Sequence, residues 1–434
     1  MDVPAQADTI SPSLKERLAD FNKLWFATTL GVFGMQVTNL AIPLVAVTLL
    51  GANAWQMGLL RTFSTLPFPL FSLFAGVWLD HALRKPVMVT VDLLRAALLF
   101  SVPLAAWLGW LSLEQLYLVV FGVGTLSVVY DVAHFAFVPA LVTRSRLIES
   151  NSRLHASHSL AELGGPGLGG LLVQWIGAPF AVLLDGMANL GSALTIARIR
   201  TPEAIKPQQP AERENVWQGI LAGLHALLDT PALRAIIVSS MILVLFNSAG
   251  MSVYLLYLVQ DLAFSPATIG LIFASSGGAA VAGAALAKPV AQRIGVGPAI
   301  ILGWLMQSLA RLMIPFAGGW ALLPGLVGVH LVMGVFGTIA NIHQWTFRQN
   351  TVTDDFLARV TAGHRFAVFG TAALGSLLGG LLGTWLGDLR TTLIICGVGG
   401  LLGPLYAYLS PLSKVRQQPG EPNPPTSPAE RAKP

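Results

Sequence analysis

"DVAHFAFVPALVTRSRLIESNSRL", residues 131–154, is one copy of a pattern that organises the whole chain. Shifting the sequence by 210 positions places it, without a gap, on "NIHQWTFRQNTVTDDFLARVTAGH" at 341–364. At the same offset, "GGLL" at 169–172 meets "GGLL" at 379–382. Because these matches share one offset and a similar hydropathy profile, we infer that the chain consists of two related halves.

The composition is that of a membrane protein. The 434 residues are 54% hydrophobic and 11% charged, whereas an average soluble domain is about 25% charged. The single cysteine, Cys396, excludes a disulfide within the chain and a Cys-based metal site. The basic residues behind the formal charge of +5 are scattered over short loops, which favours membrane topology as their cause. We therefore predict no nucleic acid partner.

Apolar segments long enough to cross about 30 Å of hydrocarbon as helices recur along the whole chain. They predict an all-α membrane protein with twelve transmembrane helices in two pseudo-symmetric six-helix bundles. The predicted spans are 25–49, 56–79, 86–110, 115–140, 152–176, 179–198, 232–258, 266–288, 298–317, 322–347, 361–386 and 390–410.

Polar segments divide the spans into regions. We predict a cytoplasmic N-terminal segment at 1–24, an N-terminal bundle at 25–198, a cytoplasmic linker at 199–231, a C-terminal bundle at 232–410 and a disordered cytoplasmic tail at 411–434. The tail is Pro-rich and polar, so it cannot build a core. An apolar helix face in the linker predicts a helix that lies on the inner membrane surface or, equally, packs on the protein. That face comprises Trp217, Ile220, Leu221, Leu224 and Leu228.

The basic residues predict the orientation of the chain in the membrane. The first 24 residues hold Lys15, Arg17 and Lys23 and show no removable signal peptide, so the N-terminus is predicted to stay inside. All but four of the 26 Lys and Arg residues then fall in cytoplasmic segments or at their helix ends. This asymmetry predicts a multi-pass protein of the inner (plasma) membrane with both termini in the cytoplasm. The four exceptions are Arg61, Arg95, Arg311 and Arg390.

The loop after the second predicted span reads "GVWLDHALRKP" at 76–86. It resembles the Gly-x-x-x-Asp-(Arg/Lys)-x-Gly-(Arg/Lys)-(Arg/Lys) motif of the major facilitator superfamily. His81 replaces a cation of that motif, and Leu83 replaces its glycine. The matching residues are Gly76, Asp80, Arg84 and Lys85.

The resemblance extends over nearly the whole chain, to the branch with enterobactin exporters and macrolide efflux pumps. Its other elements are "DLLRA" at 92–96, "LLDGMANL" at 183–190 and "FRQNTVTDDFLARVTAGHRF" at 347–366. The implied fold agrees with the repeat, since secondary transporters rock two such halves about a central substrate site.

For Asp80, the resemblance implies a latch that joins the two halves on the cytoplasmic side, with the start of span eleven at 361–365 as its partner. The alternative is that Asp80 caps its loop and follows topology. The repeat places Val290 at the equivalent position, and no acid occurs nearby in the second half. The latch is therefore predicted to be one-sided.

Span five contains an element similar to the Gly-Pro-x-x-Gly-Gly motif of drug exporters that work as proton antiporters. Its residues are Gly165, Pro166, Gly169 and Gly170. The resemblance implies export. The open alternative is that these residues only allow close helix packing.

Ionisable residues inside spans are candidates for function because their burial is costly. We predict proton coupling through Glu162 first and Asp185 second. Asp131 and His134 form either a satisfied pair or a proton relay. Asp92 and Arg95 are three residues apart on one helix face, and we interpret them as a structural pair.

Substrate recognition is predicted to fall to polar and aromatic groups in both halves. Arg61 and Arg311 either recognise anionic groups or anchor acids at the outer boundary. The other cavity candidates are Phe33, Met35, Asn247, Trp304, Asn341, His343, Gln344 and Trp345.

No motif of an enzyme or of an ATP-driven pump is present, since the sequence lacks a phosphate-binding loop. His155 and His158 have no Cys or acid at ligand spacing, so no metal or other cofactor is predicted. The leading hypothesis is a monomeric transporter in the lipid bilayer that exports small organic molecules, such as drugs, antibiotics or siderophores, in exchange for protons. The alternatives are a proton-coupled importer or lipid transporter of the same fold, and a membrane sensor or scaffold that does not transport.

Overall fold

The computed structural model describes residues 14–79, 82–203, 223–225, 227–318 and 322–418. Its regular elements are helices α1 Leu14–Thr48, α2 Ala54–Thr65, α3 Pro67–Leu79, α4 Arg84–Leu108, α5 Leu113–Leu141, α6 Leu147–Ile176, α7 Ala178–Ala197, α8 Pro231–Leu256, α9 Pro266–Ile294, α10 Val296–Met313, α11 Leu322–Thr351, α12 Asp354–Leu386, α13 Leu389–Gly400 and α14 Leu402–Leu409.

Within the described chain, ten helical segments are long and apolar enough to cross a membrane. The all-α membrane class is therefore confirmed, although this number falls two short of the predicted twelve. The second predicted span is divided into α2 and α3 at Pro67, where proline cannot donate a backbone hydrogen bond. The fifth span corresponds to α6, whose glycines and polar residues lower its mean hydropathy.

Side-chain caps explain where several helices begin. Asn53 and Gln56 form a reciprocal capping box at the start of α2. Ser112 caps α5, Ser265 caps α9 and Asp388 caps α13. Each such cap typically stabilises its helix by about 0.5–2 kcal/mol.

The same helix pairings occur in both halves. In the first half α1 packs on α6 and α7, α4 packs on α5 and α7, and the α2–α3 pair packs on α5. In the second half α8 packs on α12, α13 and α14, α10 packs on α11, α13 and α14, and α9 packs on α11. This correspondence agrees with the sequence repeat.

The buried apolar clusters differ between the two ends of the molecule. We call the end where α1 begins and α14 finishes the terminal end, and the opposite one the distal end. At the distal end one cluster joins both halves and includes Leu44, Val253 and Ile269. At the terminal end each half has its own cluster, around Phe21 in the first and around Ile236 in the second. The halves are therefore joined at the distal end and parted at the terminal end.

Glycines allow the close approach at the distal end. A Cβ added at Gly58 of α2 would lie 2.8 Å from the Cα of Gly380 in α12. A Cβ added at Gly270 of α9 would lie 2.5 Å from the carbonyl oxygen of Pro166 in α6. At both places the backbones of the two halves touch, with no room for a side chain.

The connections at the terminal end differ in part from the predictions. Residues 223–225 and 227–229 are helical, and Leu227 packs in the cluster of the second half. This supports the packed alternative for that part of the linker helix, whereas 217–221 lies outside the described residues. Residues 411–418, predicted to start a disordered tail, instead bind the first turn of α10 through hydrogen bonds to Val296 and Gly297.

Candidate transport cleft

Helix α6 has three distinct faces. Its first face is buried against α1 and carries Ala161 and Gly165. A second face, with Gly170, touches α9 of the other half. The third face is exposed and apolar, and its residues are Leu160, Leu168, Leu171 and Trp175. The apolar face is the one that suits contact with lipid.

Glu162 lies on the side of α6 opposite the apolar exposed face, since successive residues of a helix turn by about 100°. This position is flanked by α1 of the first half and α9 of the second half, and the Glu162 side chain is exposed. The sequence had placed it in the buried middle of a span. The structure instead places it in a cleft between the halves, one turn from His158, with which it interacts electrostatically.

Asp131 and His134 do not form the predicted pair among the described contacts. His134 is buried and its Nε2 atom lies 3.1 Å from Thr28 Oγ1 in α1. Asp131 is exposed and interacts electrostatically with Arg365 of α12, in the other half. The two side chains point away from a common contact because one faces α1 and the other faces the second half.

A polar network fills the interior of the first half. Ser192 Oγ donates to Asp92 Oδ2 at 2.6 Å, and Arg95 Nη1 donates to Asp92 Oδ1 at 3.4 Å. The predicted structural pair is therefore present. Asp185 accepts from Asn189 Nδ2 at 2.8 Å and also interacts with Arg95. Two buried carboxyl groups thus share one guanidinium.

The predicted cavity residues of the second half divide into two groups. Asn341 and Gln344 share a 3.1 Å hydrogen bond, Gln344 also bonds Ser240, and Asn341 is exposed. In contrast, Trp304 is buried in the core cluster and His343 bonds the carbonyl oxygen of Ala287. We therefore correct the assignment of Trp304 and His343, which stabilise helix packing.

The remaining candidates occupy separate places. Phe33 and Met35 are half-buried on α1. The ring of Trp345 lies 4.1 Å from the Arg348 guanidinium. Asn247 lines a cavity inside the second half that also contains Arg311.

Sequence reasoning missed a polar pair on α1. Gln36 Nε2 donates to the carbonyl oxygen of Ala161, and Asn39 Nδ2 donates to Gln36 Oε1 at 3.2 Å. Asn39 is exposed beside the contact between α1 and α6. The signal was available, because two amides three residues apart inside an apolar span lie on one helix face.

The latch motif is only partly visible, since Asp80 and His81 lie outside the described residues. Gly76 lies in α3. Arg84 forms an ion pair with Glu203 at 3.2 Å, and Lys85 Nζ donates to the carbonyl oxygen of Ile199 at 2.6 Å. These two cations therefore fix the segment after α7 to the start of α4, within the first half.

The helix-five element is a packing surface. A Cβ at Gly165 would lie 2.5 Å from Gln36 Cβ, and one at Gly169 would lie 3.3 Å from Val37 Cα. Gly170 and the carbonyl oxygen of Pro166 both face Gly270 of the second half. These contacts support the packing interpretation, and they place the element where the halves meet.

In the described part of the chain, no three or more His, Cys, Asp or Glu side chains group in a way that could hold a metal ion.

Repeated helix pairings, a cleft between the halves and ionisable groups within it define a transporter of the major facilitator type. The sequence model of the transmembrane secretion effector family matches residues 10–430. The chain belongs to this family of the major facilitator superfamily, and it is a transporter and not an enzyme.

Curated relatives carry a more specific name. The enterobactin exporter EntS of Escherichia coli O1:K1 / APEC is 26% identical over 382 residues, which cover 87% of this chain and 88% of the relative. The enterobactin exporter EntS of Citrobacter koseri is 26% identical over 433 residues, which cover 96% and 98%.

Solved structures support the fold. A bacterial homologue of the iron transporter ferroportin in the inward-facing state has a TM-score of 0.72 at 17% identity, covering 93% of this chain and 100% of that one. An outward-facing structure described in the same words has a TM-score of 0.56 at 16% identity, covering 89% and 98%.

Proposed function

We propose that this protein exports a small organic molecule across the bacterial inner membrane in exchange for protons. The observation that carries the proposal is the cleft between the halves, closed at the distal end by a shared cluster and parted at the terminal end. Glu162 and Asp131 are both accessible in the parted region. A cleft of this form, with titratable groups on its walls, suits alternating access coupled to protons.

The direction of transport is supported by the relatives, which are named as exporters of enterobactin, a siderophore. We propose a cargo of siderophore-like, drug-like or antibiotic-like size. The basic residues favour a cytoplasmic terminal end, so the described conformation would receive cargo from the cytoplasm.

Glu162 is the proposed proton site. It stands between α1 and α9, so a charge change there acts on the contact between the halves. A proton on Glu162 would weaken cargo binding, and its release would restore affinity, which couples the two fluxes.

Asp185 is the second proposed site. It shares Arg95 with Asp92 in the interior of the first half. One guanidinium neutralises one carboxylate, so charge balance favours a proton on the other. That proton would leave only when the surrounding helices move.

The test uses energised inverted vesicles loaded with the full-length protein and a panel of fluorescent drug and catecholate probes. We expect probe accumulation coupled to proton release, and we expect Glu162→Gln to abolish accumulation while probe binding remains. Glu149→Gln is the matched control, because Glu149 is exposed on the same helix and pairs only with Arg153 in the described contacts. Full coupled transport by Glu162→Gln would overturn the assignment of the proton site.

Two other functions predict different vesicle results. A proton-coupled importer moves probe and protons in the same direction. A sensor or scaffold binds probe without any flux. Neither has a structural observation in its favour, whereas the exporter names of the relatives support efflux.

A further inference from the structure

A second cavity lies inside the second half, away from Glu162. Its volume is about 380 Å³, and it is enclosed by α8, α10, α11 and α13. Its polar lining consists of Asn247, Tyr254, Arg311, His330 and Cys396. The rest is apolar, and no Asp or Glu is among its described lining residues.

Arg311 is the charged group of this cavity. Within the described chain its Nε atom is buried and has no hydrogen-bond partner, and no ion pair joins Arg311 to an acid among the described residues. An unpaired guanidinium inside the membrane costs several kcal/mol. Such a charge is tolerated when a counter-ion occupies the site for part of the working cycle.

The outer acids do not serve as that counter-ion. Asp388 accepts hydrogen bonds from the backbone N–H groups of Arg390 and Thr391 and from the Thr391 hydroxyl, so both of its oxygens are used at the cap of α13. Asp261 is exposed and interacts with Asp388. The alternative that Arg311 anchors an outer acid is therefore not supported by the described contacts.

The neighbouring groups are arranged as neutral donors around the guanidinium. Tyr254 Oη and His330 Nε2 lie 3.1 Å apart and are both buried. Phe273 packs on both rings, with centroids at 5.8 Å and 5.5 Å, and fixes their positions. Either ring can present a hydrogen to an oxygen atom bound by Arg311.

We propose that this cavity is a binding site for an anionic group, which Arg311 holds by a charge-assisted hydrogen bond. The group is either an acidic substituent of the cargo or a small inorganic anion. The proposal builds on export only in the first case, because binding of an anion can be measured without transport.

The test measures thermal unfolding of the purified full-length protein at constant ionic strength. Salicylate is the organic anion, salicylamide is its neutral counterpart, and chloride replaces gluconate in a parallel series. We expect a concentration-dependent rise of Tm with an anion and none with salicylamide. A rise with salicylate alone assigns the site to an organic acid group, and a rise with chloride assigns it to an inorganic anion.

Variants then locate the binding site. Arg311→Gln is expected to lower anion affinity by roughly 30-fold or more, whereas Arg311→Lys keeps most of the Tm shift. Arg390→Gln is the control, because Arg390 is an exposed arginine at the same end of the membrane. If Arg311→Gln unfolds, quenching of the intrinsic tryptophan fluorescence by salicylate is compared in Asn247→Leu and Tyr254→Phe.

An equal Tm shift in Arg311→Gln and the wild type would overturn the proposal, as would the absence of any anion-dependent shift in the wild type. Either failure leaves proton-coupled export intact. Conversely, loss of coupling in Glu162→Gln has no bearing on this site.

Discussion

The two halves share their helix pairings but treat buried charge differently. In the first half Arg95 is paired with Asp92 and lies over the Tyr130 ring at 5.7 Å. In the second half, Arg311 and Arg348 have guanidinium nitrogens without hydrogen-bond partners in the described chain. The duplicated fold therefore carries acids that can exchange protons in one half and cations that can receive anions in the other. Symmetry of the backbone does not imply symmetry of the chemistry.

The largest effect that separates the halves is expected from Arg95→Gln. Removing this cation leaves two buried carboxyl groups without their counter-ion, so we expect a loss of about 3–5 kcal/mol in stability. Thermal unfolding in detergent measures it. Arg153→Gln is the control, since its ion pair with Glu149 is exposed and such pairs contribute about 0–1 kcal/mol. Equal stability of the two variants would show that the network is not structural.

Gly270→Ala tests the contact that joins the halves. The new Cβ would lie 2.5 Å from the Pro166 carbonyl oxygen, so α6 and α9 must move apart at the distal end at a cost of about 1–3 kcal/mol. We expect a conformational shift away from the described state, measured as greater accessibility of cysteines introduced at that end. Gly278→Ala on the same helix is the control, because no atom lies within 4 Å of its added Cβ. A similar response to both substitutions would contradict the close contact.

Asp388 gives a smaller effect that depends on pH. Hydrogen bonds from Thr391 hold the pKa of this carboxyl below its usual value. The stability that the cap contributes is therefore complete above the unfolded pKa and is lost as pH falls through the lower folded pKa. We expect Asp388→Ala to cost about 0.5–2 kcal/mol at pH 7 and to lose this difference from the wild type below about pH 4. A difference that persists unchanged in acid would contradict the cap.

Arg311→Gln should produce the smallest change in stability and thereby complete the comparison with Arg95→Gln. Removing an unpaired buried charge eliminates a desolvation cost, so in anion-free buffer we expect unchanged or slightly higher stability. Thermal unfolding in gluconate measures this. A loss comparable with that of Arg95→Gln would reveal a stabilising partner for Arg311 in the second half.

The positions of most helices could be predicted because runs of apolar residues report directly on membrane crossing. The prediction was weaker where a helix extends beyond the hydrocarbon, as at α1, which begins at Leu14 and not at residue 25. It also missed the break at Pro67, because apolar residues continue on both sides.

The site was harder to predict because the role of a residue depends on which helices surround it. Glu162 is exposed because α1 and α9 leave a cleft beside it, and Trp304 is buried because α10 turns that face to the core. Neither fact is contained in the local sequence. The pair of Asp92 and Arg95 was predictable, since both residues lie on one helix face.

Distance measurement between spin labels tests proton-controlled alternation most directly. One label pair at Ser145 and Thr353 reports on the terminal end, and another at Trp110 and Gly318 reports on the distal end, in a protein whose Cys396 is replaced by alanine. Lowering the pH, or introducing Glu162→Gln, should shift both distributions in opposite directions, so that one end closes as the other opens. Distances that do not respond to protonation, or ends that open together, would contradict a proton-driven exporter.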